Sequence, residues 1–210
     1  MHVWSILGQK GGSGKTTTAL GLGVAASLRK RSVAIVDLDP QATAANWADR
    51  RASETPAVVS CQVSRLTQVL QAADERGADL AIIDCPGKST DALISAAKAA
   101  DLCLIPIQPQ LYDIETLGSI QDILTLAGNP LAAVFVNRAP IQGSRHSETQ
   151  EAARAKGFRV SPIVLYARAA HGDSGNLGST AQEYLPDCKA AREMLALYTY
   201  SYTTIKEKRK

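Results

Sequence analysis

Gly8-Gln9-Lys10-Gly11-Gly12-Ser13-Gly14-Lys15-Thr16-Thr17 decides how the rest of this 210-residue chain is read. The apolar run Val3-Trp4-Ser5-Ile6-Leu7 precedes it and reads as a buried strand. Ala19 to Arg29 follows and reads as a helix. Strand, glycine-rich loop and helix is the setting of a phosphate-binding loop. The glycines let the backbone curl so that successive N–H groups point inward at phosphate oxygens. The helix N-terminus adds its partial positive charge. Gly11, Gly12, Ser13, Gly14, Lys15, Thr16 and Thr17 are therefore the expected phosphate cradle. Lys15 can reach the β- and γ-phosphates, and the Thr16 hydroxyl can ligate Mg²⁺. A structural Gly/Ser turn would need neither Lys15 nor Thr16. The strict Walker pattern fails at one place, where Gln9 stands instead of glycine, and a second lysine, Lys10, opens the loop.

Outward from the loop, short β-rich runs alternate with helical segments. Strands are predicted at 3–7, 33–38, 57–61, 80–84, 102–107, 132–137 and 160–165. Helices are predicted near 15–30, 42–51, 64–76, 90–99, 114–127, 146–156 and 186–206. Val33-Ala34-Ile35-Val36 and Leu102-Cys103-Leu104-Ile105 are apolar without alternation, the mark of strands covered on both faces. The expected fold is a doubly wound, mostly parallel α/β sheet forming one domain over residues 1–210. Gly172-Asp173-Ser174-Gly175-Asn176 reads as the clearest flexible loop. Ile205 to Lys210 reads as a frayed, basic tail.

Composition narrows the class. No apolar run approaches a transmembrane length, and the N-terminus lacks the pattern of a signal peptide, so a cytoplasmic protein is expected. Cys61, Cys85, Cys103 and Cys188 are scattered, with no Cys-x-x-Cys pair, which indicates neither a zinc site nor a disulfide framework. Net charge is +3 but uneven. Residues 1–137 hold 11 Lys/Arg against 13 Asp/Glu, and residues 138–210 hold 12 against 7. A basic C-terminal third suits an anionic partner such as nucleic acid or membrane, although solvated lysines and arginines are the plainer reading of charge alone.

Two further motifs follow in order. The strand from Val33 ends in Asp37-Leu38-Asp39-Pro40-Gln41. Ligands in open parallel sheets lie beyond the carboxyl ends of strands, on the side of the phosphate loop. A carboxylate there can hold Mg²⁺ through water or orient a water attacking the γ-phosphate. The strand Leu80-Ala81-Ile82-Ile83 ends in Asp84-Cys85-Pro86-Gly87, the Walker B pattern, which sets Asp84 near the metal. Gly87 permits a loop that responds to loss of the γ-phosphate. The expected metal set is Thr16, Asp37 and Asp84.

Lys10-Gly-Gly-Ser-Gly-Lys-Thr-Thr17, Val36-Asp-Leu-Asp-Pro-Gln41 and Ala81-Ile-Ile-Asp-Cys-Pro-Gly87 together resemble the deviant Walker A, switch I and Walker B/switch II motifs of the ParA/MinD family of ATPases. Ile105 to Pro109 with Tyr112-Asp113, Phe135-Val136-Asn137-Arg138, and Ala167 to Ala170 resemble later segments of the family, so the likeness spans nearly the whole chain. The resemblance is to the small ParA form without an N-terminal helix-turn-helix extension. It implies ATP and Mg²⁺ as cofactors, and a sandwich homodimer with nucleotide between the subunits. By position, Lys10 matches the lysine that reaches the partner's nucleotide, and Asp39 the residue positioning the attacking water. Lys10, Lys15 and Asp39 are thus the implied catalytic residues, and Asn137 and Arg138 match positions near the adenine. Asn137 could equally satisfy backbone groups at a strand end.

The resemblance further implies sequence-independent DNA binding by the ATP form, at the nucleoid. It also implies a centromere-binding, ParB-like partner that stimulates hydrolysis. Arg145, Arg154, Lys156, Arg159, Arg168, Lys189 and Arg192 are DNA-contact candidates as a group. The alternatives are a MinD-like membrane-cycling or other cargo-positioning ATPase, or a metabolic ATP-dependent ligase of the same fold.

Overall fold

The computed structural model describes residues 1–208. In chain order the elements are β1 (His2–Ile6), α1 (Lys15–Ser27), β2 (Val33–Asp37), α2 (Thr43–Asp49), β3 (Ala57–Ser60), a 3-10 turn (Val63–Arg65), α3 (Leu66–Glu75), β4 (Leu80–Asp84), α4 (Thr90–Ala99), β5 (Leu102–Ile107), α5 (Leu111–Leu126), β6 (Ala132–Ala139), α6 (Arg145–Ala155), β7 (Val160–Tyr166), α7 (Ala169–Asn176), α8 (Ala181–Tyr184) and α9 (Lys189–Lys208). The strands form one sheet in the order β3-β2-β4-β1-β5-β6-β7. Every pairing among the described strands is parallel.

The apolar runs decide this arrangement. β4 and β5 are buried at every position, which requires cover on both faces. One core layer joins Trp4, Ile6, Ile35, Ile82 and Phe135 to α1, Trp47 of α2 and the α9 residues Met194, Leu197 and Tyr198. The other joins Leu7, Val36, Ile83 and Ile105 to α4, α5 and Ala153 of α6. Alternate strand residues thus point to opposite layers. β1 lies between β4 and β5, so chain order reverses about it. The crevice at the carboxyl ends of such strands is where this architecture places a ligand.

Two expectations need correction near the C-terminus, and one short helix there is additional to those expected. Residues 172–176 are helical, within α7, and not a loop. Gly172 and Gly175 are poor helix formers, but Ser174 is buried and α7 packs on α8, so tertiary contacts override propensity. The short α8, closed by a capping box between Thr180 and Glu183, gives no separate sequence signal. The expected frayed tail is also absent through Lys208, because α9 continues there and buries Ile205. Residues 209 and 210 of that tail lie outside the described residues.

Candidate functional site

The loop between β1 and α1 takes its shape from two left-handed glycines, Gly12 (φ 77°) and Gly14 (φ 88°). A Cβ on Gly14 would also lie 2.2 Å from Asn137 Nδ2, so a side chain here would be strained and would have to displace the Asn137 amide. Thr18 N closes the first helical turn on Gly14 O at 2.9 Å. The preceding N–H groups stay available at the helix start, as an anion site requires. The loop forms one side of an open cleft of about 830 Å³. Gly11, Gly12, Gly14, Lys15, Thr16, Thr17, Asp39, Asn137 and Arg138 line it, so the structure brings most sequence-predicted site residues together.

Lys15 is only 8% exposed, and its ammonium donates to the Lys10 carbonyl at 3.0 Å. Burial pushes its pKa down, against the opposing pull of Asp84, Cys85 and Asp39. An anion beside it would relieve that desolvation. Gly87 abuts the same point: a Cβ there would sit 3.3 Å from Lys15 Nζ and 3.3 Å from Gln9 O. The loop after β4 therefore reads the phosphate loop by backbone contact.

The strand-end carboxylates stand level, with Asp37 opposite Asp84 and Asp84 opposite Ile6 in register. Asp84 is buried, and neither of its oxygens has a hydrogen-bond partner. Burial pushes its carboxyl up to about 7. Thr16 beside it pulls the other way, at a geometry short of a proper hydrogen bond. Two orphaned carboxylate oxygens beside a threonine hydroxyl fit a hard cation bound largely through water and phosphate. Among the described residues no cluster of three or more His, Cys, Asp or Glu could hold a metal by itself, which is consistent with such an ion.

Asp37 is used differently. Its Oδ1 accepts from Asp39 N at 3.0 Å, and its Oδ2 from Ala44 N and Ala45 N at 2.9 and 3.3 Å. It anchors the turn carrying Asp39 and the first turn of α2, where Ala42 adopts φ 50°. Asp39 is half-buried on the cleft wall.

Lys10 points away from the cleft. Its ammonium is ion-paired with Asp113 and donates to Gln110 Oε1 at 3.0 Å. Asp113 is 2% exposed, and its other oxygen takes Gln108 N at 3.1 Å. Gln108 Nε2 in turn donates to Gly12 O at 2.9 Å. The turn between β5 and α5 thus grips the phosphate loop at Lys10 and Gly12. Gln108 and Gln110, more than 90 residues on in sequence, carry no local signal of this role. The clues are that β5 ends on the same side of the sheet and that Ile105 to Pro109 with Tyr112-Asp113 resembles a family segment.

Asn137 braces the phosphate loop. Its Nδ2 donates to Ser13 O at 2.7 Å, and its Oδ1 accepts from Arg138 N at 2.9 Å. That is the backbone-satisfying alternative read from the sequence. Arg138, at φ 52°, donates to Gly12 O at 3.1 Å over the cleft. The far wall, which the sequence motifs did not reveal, consists of Tyr166, Ala167, Arg168, Ala169, His171 and Asp173. Arg168 is fixed there by Glu193 at 2.6 and 2.9 Å.

Residues 4–176 match the family of CobQ/CobB/MinD/ParA nucleotide binding domains. The chain belongs to this family. It is 30% identical over 173 residues to the maintenance of carboxysome distribution protein A of Gloeobacter kilaueensis, covering 81% of this chain and 79% of that protein. It is 32% identical over 123 residues to the protein ParA of Rhizobium radiobacter, covering 57% and 54%. The chain therefore matches about half the length of that ParA relative. Among solved structures, the septum site-determining protein MinD of Pyrococcus horikoshii, complexed with Mg-ADP, superposes with a TM-score of 0.74 at 20% identity, over 95% of each chain. The family and fold read from the three loop motifs are thus confirmed, and the cleft is that of a nucleotide-binding domain.

Proposed function

We propose that this chain is an ATP- and Mg²⁺-dependent ATPase that works as one unit over residues 1–210 and segregates DNA. The observation that carries the reading is the pair of lysines in one phosphate loop, Lys15 buried on the cleft and Lys10 outside it. One lysine suffices to bind a nucleotide's phosphates in cis. A second, one-third exposed and held on a side chain outside the cleft, suits delivery to nucleotide bound by a second copy. In that reading ATP binding makes a sandwich homodimer.

Within the cleft, Lys15 and the loop N–H groups bind the β- and γ-phosphates, and Asp39 orients the attacking water. Mg²⁺, held by Thr16 and through water by Asp84, would neutralise charge on the transferred phosphoryl group. Asp37 supports this set by fixing the Asp39 turn, rather than by offering free oxygens. Hydrolysis is slow until a partner acts, because the residue read as orienting the water, Asp39, is a carboxylate and so a weak general base.

DNA binding is supported by a basic edge. α6 and α9 both pack on the edge strand β7. Among the described residues, Arg145, Arg154, Lys156, Lys189 and Arg192 are exposed there without a salt bridge. Arg168 is committed to Glu193 and Arg159 lies near Glu207, so these two are weaker candidates. Phosphate-directed cations give salt-sensitive, sequence-independent affinity. A centromere-binding, ParB-like partner would then supply the cargo DNA and stimulate hydrolysis.

A second reading, positioning of a protein cargo, is favoured by the carboxysome-distribution relative, which matches more of this chain than the ParA relative does. MinD-like membrane cycling through α9 is disfavoured, since the apolar side of that helix packs on the core as far as Ile205. No helix among the described residues is long and apolar enough to cross a membrane.

The test is retention of purified protein on duplex DNA with ATP, ADP or no nucleotide, at two salt concentrations, beside Lys15→Gln. Retention that needs ATP and Lys15, weakens with salt and ignores sequence supports segregation. ATP binding without retention in any state would remove the DNA step and leave cargo positioning by another route.

A further inference from the structure

We infer that Arg51 is a positioning residue that links the far wall of the nucleotide cleft to the turn carrying Asp39. The inference rests on the reading of Asp39 as the residue that faces the γ-phosphate. Everything else in it comes from how α2 is held at its two ends.

At its start, α2 hangs from the site. Thr43 lies four positions after Asp39, and Ala44 N and Ala45 N donate to Asp37, which also holds Asp39 N. At its end, the Arg51 guanidinium, 6% exposed, is bidentate to Glu183 at 2.5 and 2.9 Å. It also donates to Gly178 O at 3.1 Å and to Thr55 O at 2.6 and 2.9 Å. Its plane lies 4.7 Å from the Trp47 ring, and Trp47 Nε1 donates to Ser179 O at 3.0 Å. Arg50 adds a bond to Gly175 O at 3.3 Å. Gly178, at φ +64°, passes so near that a Cβ would lie 2.6 Å from the Arg50 carbonyl carbon. Backbone meets backbone here with no room for slippage.

The segment gripped in this way is the turn that follows α7, at Gly178 and Ser179, together with Glu183 of α8, while Arg50 holds α7 itself at Gly175. The head of α7 forms the far cleft wall, through Ala169, His171, Gly172 and Asp173. α7 is eight residues long, with the cleft at its head and, just past its tail, the turn that Arg51 holds. α8 beyond it is tied to α1 by Gln182 Nε2 on Gly21 O at 2.7 Å. A nucleoside filling the far side of the cleft presses on the head of α7. The clamp carries that displacement through α2 to Asp39. The expected consequence is that occupancy at the nucleoside end of the cleft speeds hydrolysis at the phosphate end. A ligand made of phosphate alone gains nothing from the clamp, because it never touches α7.

The experiment compares Mg²⁺-supported hydrolysis of ATP and of inorganic tripolyphosphate by wild type, Arg51→Lys and Glu183→Gln. Lysine keeps the charge but cannot make the forked contacts. The clamp predicts that both variants lose kcat on ATP by about 2- to 30-fold, with KM for ATP little changed and tripolyphosphate turnover preserved. The double variant should lose less than the two single losses multiplied together, since the Arg51–Glu183 contact is shared by both. Trp47 emission, taken as the difference from Trp47→Phe, should respond to ATP and not to tripolyphosphate, and the response should shrink in Arg51→Lys. Equal loss on both substrates, or no loss in variants that melt like wild type, overturns the inference. Asp39→Ala runs beside them: full turnover by that variant refutes the reading of Asp39 and leaves the Trp47 comparison to judge the clamp.

Discussion

Asp37 and Asp84 end neighbouring parallel strands at one register, and both are 1% exposed. Burial raises the pKa of each. They differ in what answers that burial. Three backbone N–H groups surround Asp37 and restrain its shift, so its charge organises the fold. Nothing donates to Asp84 within hydrogen-bonding geometry, and its carboxyl rises to about 7. A buried carboxylate left unanswered by protein is a cost to the empty fold that a ligand can relieve. The same residue type at the same level is answered by backbone on one strand and left open to a ligand on its neighbour.

Removing the charge at Asp84 should break function hardest. Asp84→Asn is expected to lower Mg²⁺-dependent ATP turnover by about 10²-fold or more, read as phosphate release. It should also raise the melting temperature of nucleotide-free protein at neutral pH. The folded carboxyl is pushed up to about 7 against an ordinary 3.8, so the folded state binds more protons between those limits. Stability from this group therefore falls as pH rises from about 3.8 to 7, and asparagine escapes that loss. A variant that is inactive yet melts lower than wild type would show that Asp84 is structural after all.

Asp37→Asn should move stability the other way. An amide offers one acceptor where three N–H groups converge, and its own N–H₂ faces donors. The expected loss is roughly 1–3 kcal/mol for donors left unsatisfied, or about 2–4 °C in Tm per kcal/mol for a chain of this size. Thermal melts of the two variants side by side test the contrast directly: opposite signs sustain it, and equal signs remove it.

How far the sequence shows this contrast follows from the range of each interaction. The unbroken apolar runs at 80–83 and 102–105 require a parallel sheet with two covered faces, and the loop at 8–17 carries its own chemistry. Asp37 and Asp84 are both recognisable as strand-end carboxylates from their positions alone. Which one is answered by backbone depends on Ala42 turning left-handed so that Ala44 and Ala45 point back, a detail with no residue signature. Asn137 likewise reads from the sequence as either a base contact or a group satisfying backbone, and its amide on Ser13 O shows the second role. The glycines at 172 and 175 suggest a loop, and only packing against α8 and Arg50 makes that stretch the helix behind the cleft wall.

The two loop lysines repeat the division between answered and unanswered charge, with a smaller expected effect. Lys10 is answered by Asp113, and Lys15 only by a carbonyl. Asp113→Asn should free Lys10 without touching the cleft lining. Acylation of Lys10 by an amine-reactive ester, normalised to exposed Lys88 and read by mass spectrometry, should rise by about tenfold, taking roughly 1.5 kcal/mol for the charged hydrogen bond lost. ATP-dependent dimerisation should then need less ATP, because the cis pairing no longer competes with delivery to a second copy. In a Lys10→Ala background Asp113→Asn should change dimerisation no further. An effect that persists there would mean that Asp113 acts through the α5 turn and not through the lysine.

The smallest effect opposes Asp84 from the far wall. His171 is half-buried, and desolvation lowers its pKa below the ordinary 6.5, with Glu193 pulling up and Arg168 pushing down. The unfolded chain therefore binds this proton first as pH falls below 6.5. Stability contributed by neutral His171 is full above that point and declines under it. Asp84 has the opposite slope across the same acid range, so the two partly cancel in wild type. Asp84→Asn should steepen the acid-side loss of stability, and adding His171→Gln should flatten it again, in denaturant titrations at pH 5.5, 6.5 and 7.5. If the double variant keeps the slope of Asp84→Asn, the acid sensitivity resides in carboxylates elsewhere, and the far wall contributes shape to the cleft without contributing charge.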